Sequence, residues 1–286
     1  MNQLTEITEI NEGEGEFTPD ADHEIDLEHS RFSMAYRKPE YPITIMVPYV
    51  GAINGPVVAS MLYYAKHLDV GFELVGNSII SVARNELANR FLNSNAEWSF
   101  WLDSDVFIPF GSADVFTSYS GAKKGQSFAT HNTLLRMIGH HQPLVGGVYS
   151  GRFKGSPLTI QPDLQPRSVN DQRISQSLRE GKPAGGLQPV EWVAAGLMLV
   201  HRKVFETIRA KVPWKPPFPG AYYPFFVQTD QVGEDVYFCN LAKSVGAQPL
   251  LDTEVRAGHI GLGIWLPEDS QAPIALGGVK AQPPPE

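Results

Sequence analysis

The sequence predicts an α/β fold with parallel strands, on three observations. Short apolar runs at Ile43–Val47, Phe72–Val75 and Trp98–Leu102 have the length and composition of buried strands. Residues 56–68 and 81–93, which separate them, carry apolar side chains at helical spacing. Strand, helix, strand, helix, strand is the order that parallel pairing requires, and in such sheets ligands sit beyond the carboxyl ends of the strands.

The strand over 43–47 is expected to close at Pro48, with Gly51 and Gly55 in the turn behind it. Val57, Met61, Tyr64 and Leu68 give the first helix an apolar face. In the second helix Val82, Leu87, Phe91 and Leu92 do the same, with Ser81 as the expected N-cap. Next comes Trp98-Ser99-Phe100-Trp101-Leu102-Asp103-Ser104-Asp105, a strand ending in two carboxylates one residue apart. Two acids pointing the same way repel unless a positive group sits between them, and a divalent cation held by oxygen is the usual answer. A solvated turn after a strand is the plainer alternative for so short a triplet.

Residues 111–120 read as a short helix or turn, and 121–141 as a polar loop. Leu144–Tyr149 is a strand whose glycines allow close backbone approach. Residues 151–189, rich in Gly, Pro, Gln and Arg, read as a long loop, functional or disordered, with room for one helix at 170–180. Val190–Val200 is apolar with small residues at its middle, and a helix follows over 203–210. Between 212 and 227 prolines alternate with Trp214, Phe218, Tyr222, Tyr223, Phe225 and Phe226, rings suited either to stacking on a sugar or to a hydrophobic lid. Gly233-Glu234-Asp235 opens a helix to about Val245, a strand follows at 248–252, and Gly258-His259-Ile260-Gly261 reads as a tight loop with nothing to bury the histidine.

Composition bounds the rest. The 286 residues suit one large domain or two small ones, and 42% hydrophobic residues suffice for a full core. The net charge of −8 arises in residues 1–30, which hold ten acids and no Lys or Arg; the remainder has 21 acids and 23 bases. An acidic, flexible arm over 1–40 is therefore expected to precede a nearly neutral domain over 41–266, with a Pro-, Gly- and Ala-rich tail over 267–286. No apolar run is long enough for a membrane span, the N-terminus lacks the basic and apolar regions of a signal peptide, and the single cysteine, Cys239, reads as a buried apolar residue. These features predict a cytoplasmic protein.

Taken in order, Val47-Pro48-Tyr49, Ser81-Val82-Ala83-Arg84-Asn85, Asp103-Ser104-Asp105, Gly146-Gly147, Gly196-Leu197-Met198, Gly233-Glu234-Asp235 and Gly258-His259 resemble the nucleotide-sugar-dependent glycosyltransferases of the GT-A fold, closest to the small bacterial and phage-type members. The likeness spans about residues 43–262. It implies a Rossmann-like, mixed but mainly parallel sheet flanked by helices, and a donor that is a UDP- or GDP-sugar. Pro48 and Tyr49 would contact the base and ribose, and Arg84 the diphosphate or base. Asp103, Ser104 and Asp105 would line the donor site, with Asp103, Asp105 and His259 as ligands of Mn²⁺ or Mg²⁺. Glu234 and Asp235 would be the catalytic pair facing the acceptor. The absence of a Gln-x-x-Arg-Trp segment and the histidine after the last strand lean towards retention of anomeric configuration. The 151–189 segment, with a net charge of about +3, would suit a phosphorylated or nucleic-acid acceptor such as a modified DNA base, beside the alternatives of a glycan or a small molecule. Two rival readings are a phosphatase-type hydrolase using Asp103 as nucleophile and a silent nucleotide-sugar-binding module.

Overall fold

The computed structural model describes residues 42–108, 133–149, 186–261 and 264–265. The acidic arm, the C-terminal tail and residues 151–185 of the long loop lie outside these. The described chain is a mixed α/β structure of five helices and a seven-stranded, mostly parallel sheet, a Rossmann-like arrangement. No described helix is long and apolar enough to cross a membrane.

Two crossovers of the predicted kind build the first half. Strand β1 (Ile43–Tyr49) leads through helix α1 (Gly55–His67) to β2 (Val70–Gly76), and α2 (Ile80–Leu92) leads to β3 (Trp98–Leu102). Both β2 and β3 pair with β1 in parallel. Pro48 does not end β1: the strand continues through it to Tyr49, which pairs with Gly76. Ser81 is not the cap of α2, because the helix begins a residue earlier with Ile79 at the cap, where the Ile79 N–H is turned to Asn77 Oδ1 at 2.9 Å.

The second half adds β4 (Val106–Phe107), α3 (Thr133–Gly139), β5 (Leu144–Val148), β6 (Leu187–Pro189) and β7 (Leu197–His201). Helix α4 (Arg202–Lys211), α5 (Glu234–Ser244), β8 (Leu250–Arg256), β9 (Gly258–Ile260) and β10 (Ile264–Trp265) complete it. Two expectations change here. Part of the stretch expected to be a loop over 121–141 is helix α3, with Leu134 and Met137 fully buried. The end of the 151–189 segment is not loop but β6, which pairs antiparallel with β8.

The large sheet runs β2-β1-β3-β7-β5-β8-β6. Strands β7 and β6 run against the other five, since β3–β7, β5–β7 and β6–β8 are antiparallel while β5–β8 is parallel. Strands β1, β3, β5 and β8 therefore all finish at one edge, and β7 begins there. This topology gathers the residues after Tyr49, Leu102, Val148 and Arg256, together with Gly196 just before β7.

Strand β3 is buried along its whole length, so its one hydroxyl must be paired. Ser99 Oγ donates to the Val200 carbonyl at 3.1 Å and accepts from Trp101 Nε1 at 3.0 Å. Beneath the sheet, Phe205, Phe225, Phe226 and Phe238 pack ring on ring, with Phe226–Phe238 stacked at 4.7 Å and 19°. Arg202 locks the end of α2, donating to the carbonyls of Phe91, Leu92, Ser94 and Ala96 at 2.7–3.1 Å. Carbonyls that the helix leaves open are thereby satisfied by a charged donor, which fixes the helix that carries Arg84. On the other side of the sheet, Arg136 and His140 from α3 and the turn after it clasp Asp252 of β8, which is completely buried.

Candidate functional site

The carboxyl edge of the sheet brings together side chains from five separate parts of the chain. Asp103 and Asp105 follow β3; the Val106 N–H donates to the Asp103 carbonyl at 3.0 Å, closing the turn between them. Asn54 clamps that turn from the start of α1, donating through its backbone N and its Nδ2 to the Ser104 carbonyl, both at 3.0 Å. The Asp103 N–H donates to the Gly196 carbonyl at 3.2 Å, so the acidic turn is anchored on two sides.

His259 arrives by strand pairing. Strand β9 pairs antiparallel with β4, setting His259 opposite Val106, and the Ile260 N–H donates to the Asp105 carbonyl at 2.8 Å. His259 Nε2 consequently lies 3.4 Å from Asp105 Oδ1. The histidine is on a strand rather than a tight loop, and it is 7% exposed. Gly258 is needed there for packing: a β-carbon would come within 2.3 Å of the Phe107 ring.

Arg84 lies at the same edge. It is 3% exposed, and its guanidinium bridges two carboxylates, with Nη2 donating to Asp103 Oδ1 at 2.7 Å and Nη1 to Glu234 Oε1. Burial opposes its charge, but the carboxylates of Asp103 and Glu234 outweigh that cost and hold it firmly protonated. A side chain committed in this way ties the acids after β3 to the acids opening α5. Its neighbour Asn85 grips the Phe226 backbone, donating from Nδ2 to the carbonyl and accepting the N–H at Oδ1, both at 2.8 Å. Phe225 and Phe226 are thus buried core rather than a stacking surface, while Phe218 and Tyr222 are exposed.

Glu234 and Asp235 sit in the first turn of α5, behind Gly233 at the N-cap. Asp235 Oδ1 accepts from the Val236 N–H at 2.7 Å. Burial first, and then the charge of Glu234, push the Asp235 carboxyl up to about 6, against the opposing pull of Arg84. Pro48 and Tyr49 lie at the same edge; the ring of Tyr49 covers Gly76, where a β-carbon would fall 2.8 Å from it.

Asp103, Asp105 and His259 do not close into a three-ligand metal centre. Among the described residues no group of three or more His, Cys, Asp or Glu is placed to hold a metal ion. One oxygen of Asp103 is held by Arg84 at 2.7 Å. That pair does fit a small divalent cation: a hard carboxylate oxygen beside an imidazole suits Mn²⁺ or Mg²⁺, ions that commonly take their remaining ligands from water and substrate phosphates.

Tyr149 belongs to the site and was read from the sequence only as the end of a strand. It is 4% exposed, and its ring stands edge-on to His259 at 5.3 Å. Glycine at 196 is enforced from here, because a β-carbon there would lie 2.4 Å from Tyr149 Oη and 2.8 Å from Asp103 Oδ2. Cys239 is buried as expected, and burial pushes its thiol up to about 12.

No protein-family model matches the chain, and no curated protein matches it. Among solved structures, the chain is similar to A197 from STIV at 14% identity and a TM-score of 0.46, over 83% of this chain and 100% of that one.

Proposed function

We propose that the protein is a GT-A-type glycosyltransferase that moves a sugar from a UDP- or GDP-sugar to an acceptor hydroxyl. One observation carries the reading: Asp105 and His259, 154 positions apart in the sequence, stand 3.4 Å from each other at the strand ends, next to the Asp103–Arg84–Glu234 bridge. Four carboxylates (Asp103, Asp105, Glu234 and Asp235) there share a single buried arginine and one histidine. Such an excess of acid at a sheet edge suits a cation and a polar substrate better than it suits a merely structural ion pair.

Asp105 and His259 would hold Mn²⁺ or Mg²⁺, which when bound supplies electrostatic stabilisation of the departing diphosphate. Tyr49 and the backbone after β1 would face the nucleoside, and Ser104 lies in the turn between the two aspartates. Arg84 bridges Asp103 and Glu234 and aligns their side chains. Asp235 faces the acceptor, and because it titrates near 6 it is ionised at neutral pH and competent to accept a proton. The acceptor oxygen bonds to the anomeric carbon as the bond to the diphosphate oxygen breaks, and the electron pair leaves with the diphosphate. Unchanged anomeric configuration, the outcome towards which the histidine leans, makes Asp235 the group that orients the acceptor; inversion makes it the base that takes the hydroxyl proton. The phosphatase reading is disfavoured because Asp103, its required nucleophile, is already engaged by Arg84.

The test is release of nucleoside diphosphate from UDP- and GDP-sugars with and without Mn²⁺. Asp105→Ala is expected to abolish metal-dependent donor binding in calorimetry while leaving the melting temperature within a few degrees. Donor binding that is the same with or without metal, and the same in this variant, would sink the proposal.

A further inference from the structure

One buried side chain touches both walls of this site. Tyr149 follows β5, while Asp103 follows β3 and His259 belongs to β9. Its ring meets the His259 imidazole with centroids 5.3 Å apart and planes at 85°, a favourable edge-to-face contact. Its hydroxyl lies on the opposite flank. The position that a β-carbon of residue 196 would occupy is 2.4 Å from Tyr149 Oη and 2.8 Å from Asp103 Oδ2, so phenol and carboxylate crowd the same small space above Gly196. The other oxygen of Asp103 is bonded to Arg84 at 2.7 Å. Asp103 is therefore gripped by a guanidinium on one side and bounded by a phenol on the other. A phenol O–H can donate a hydrogen bond and a carboxylate oxygen can accept one, so the two groups are chemically matched.

We infer that Tyr149 is a positioning residue that aligns both halves of the donor site at once, its ring setting the plane of His259 and its hydroxyl, over the Gly196 floor, setting the carboxylate of Asp103. The inference rests on the transferase reading of the same site. Groups delivered by different strands must be held to about 0.5 Å for productive chemistry, and loss of such outer support costs about 10- to 100-fold in metal affinity or activity.

Two substitutions at Tyr149 separate its two contacts. Tyr149→Phe keeps the ring against His259 and removes only the hydroxyl; Tyr149→Leu removes both. Mn²⁺ binding alone, followed by electron paramagnetic resonance, is expected to stay within about twofold of wild type in the Phe variant and to weaken about tenfold in the Leu variant. Hydrolysis of UDP-glucose or GDP-mannose, whichever the wild type cleaves, is expected to lose about tenfold in kcat in the Phe variant with donor KM nearly unchanged. Gly196→Ala crowds the same hydroxyl, so its loss of kcat should not add to that of Tyr149→Phe in the double variant. A Phe variant equal to wild type, or fully additive losses, overturns the inference and leaves the transferase reading standing. A wild-type protein that neither binds Mn²⁺ nor cleaves either donor overturns the transferase reading instead. In that event melting temperatures still test the geometry: Gly196→Ala should cost less in the Phe background than alone, and an equal cost overturns the placement of the hydroxyl.

Discussion

Two buried arginine–carboxylate clusters in this molecule use the same residue types to opposite ends. At the first, Asp252 accepts from Arg136 Nε at 2.6 Å and Nη2 at 3.2 Å, is bonded to His140 Nε2 at 2.7 Å, and accepts the Glu254 N–H at 2.9 Å. Burial alone would raise its pKa, but the His140 and Arg136 bonds outweigh it and hold the carboxyl down to about 2. One acid with every lone-pair direction occupied makes a clasp between helix and sheet. At the second, Arg84 is shared by Asp103 and Glu234, with Asp105 and Asp235 close by. Acids there outnumber cations, and burial first, with the charge of Glu234 second, raises the Asp235 carboxyl to about 6. Both acids are buried, and the two clusters differ in how far their cations offset that burial.

The largest test of this contrast is Arg84→Met. Removing the guanidinium that bridges the acid-rich cluster should cost about 4 kcal/mol of stability and lower transfer at least about 100-fold, read by denaturant melts and by donor turnover. If Arg84→Met folds as well as wild type, the surplus acid is already balanced and the contrast fails. Asp252→Asn comes next, at about 3 kcal/mol, with turnover per folded molecule unchanged. The pH dependence of that loss has a defined sign. Since the folded pKa lies below the unfolded one, the stabilisation is complete above about pH 4 and fades as the pH falls towards 2. A difference between wild type and variant that does not shrink in acid would show that the clasp does not depend on charge.

The smallest effect has the opposite direction. Asp235 binds its proton more tightly when folded, so its contribution to stability is fully present below the unfolded pKa near 4 and is lost as the pH rises through about 6. Asp235→Asn should therefore melt about 3 °C higher than wild type at pH 7.5, with the gain vanishing near pH 4, while transfer falls steeply. A melting temperature lowered at pH 7.5 would mark Asp235 as a structural cap of α5.

Local signals carried most of the fold. The apolar run at 98–102 and the helical spacing on either side of β2 place the parallel β2-β1-β3 unit, because burial and period are written in adjacent residues. Helix α3 was not legible, since its seven residues are too few to display a period, and neither was the strand character of His259, which depends on pairing with residues 106–107. At the site, the carboxylates announced themselves by their spacing. The engagement of Arg84 did not, because a guanidinium at the start of a helix reads the same whether it meets a phosphate or two acids from remote segments. Tyr149 was hidden for a related reason: a tyrosine at a strand end is ordinary until topology sets it between Asp103 and His259.

The short pairing of β9 with β4 has a temporal consequence. During synthesis the aspartates leave the ribosome some 150 residues before the histidine that meets them, so an emerging chain carries the acidic turn long before its partner exists. Any chemistry at that edge must await the closing strand. A chain halted before residue 258 is thus a built-in control, retaining all seven main-sheet strands while lacking the imidazole.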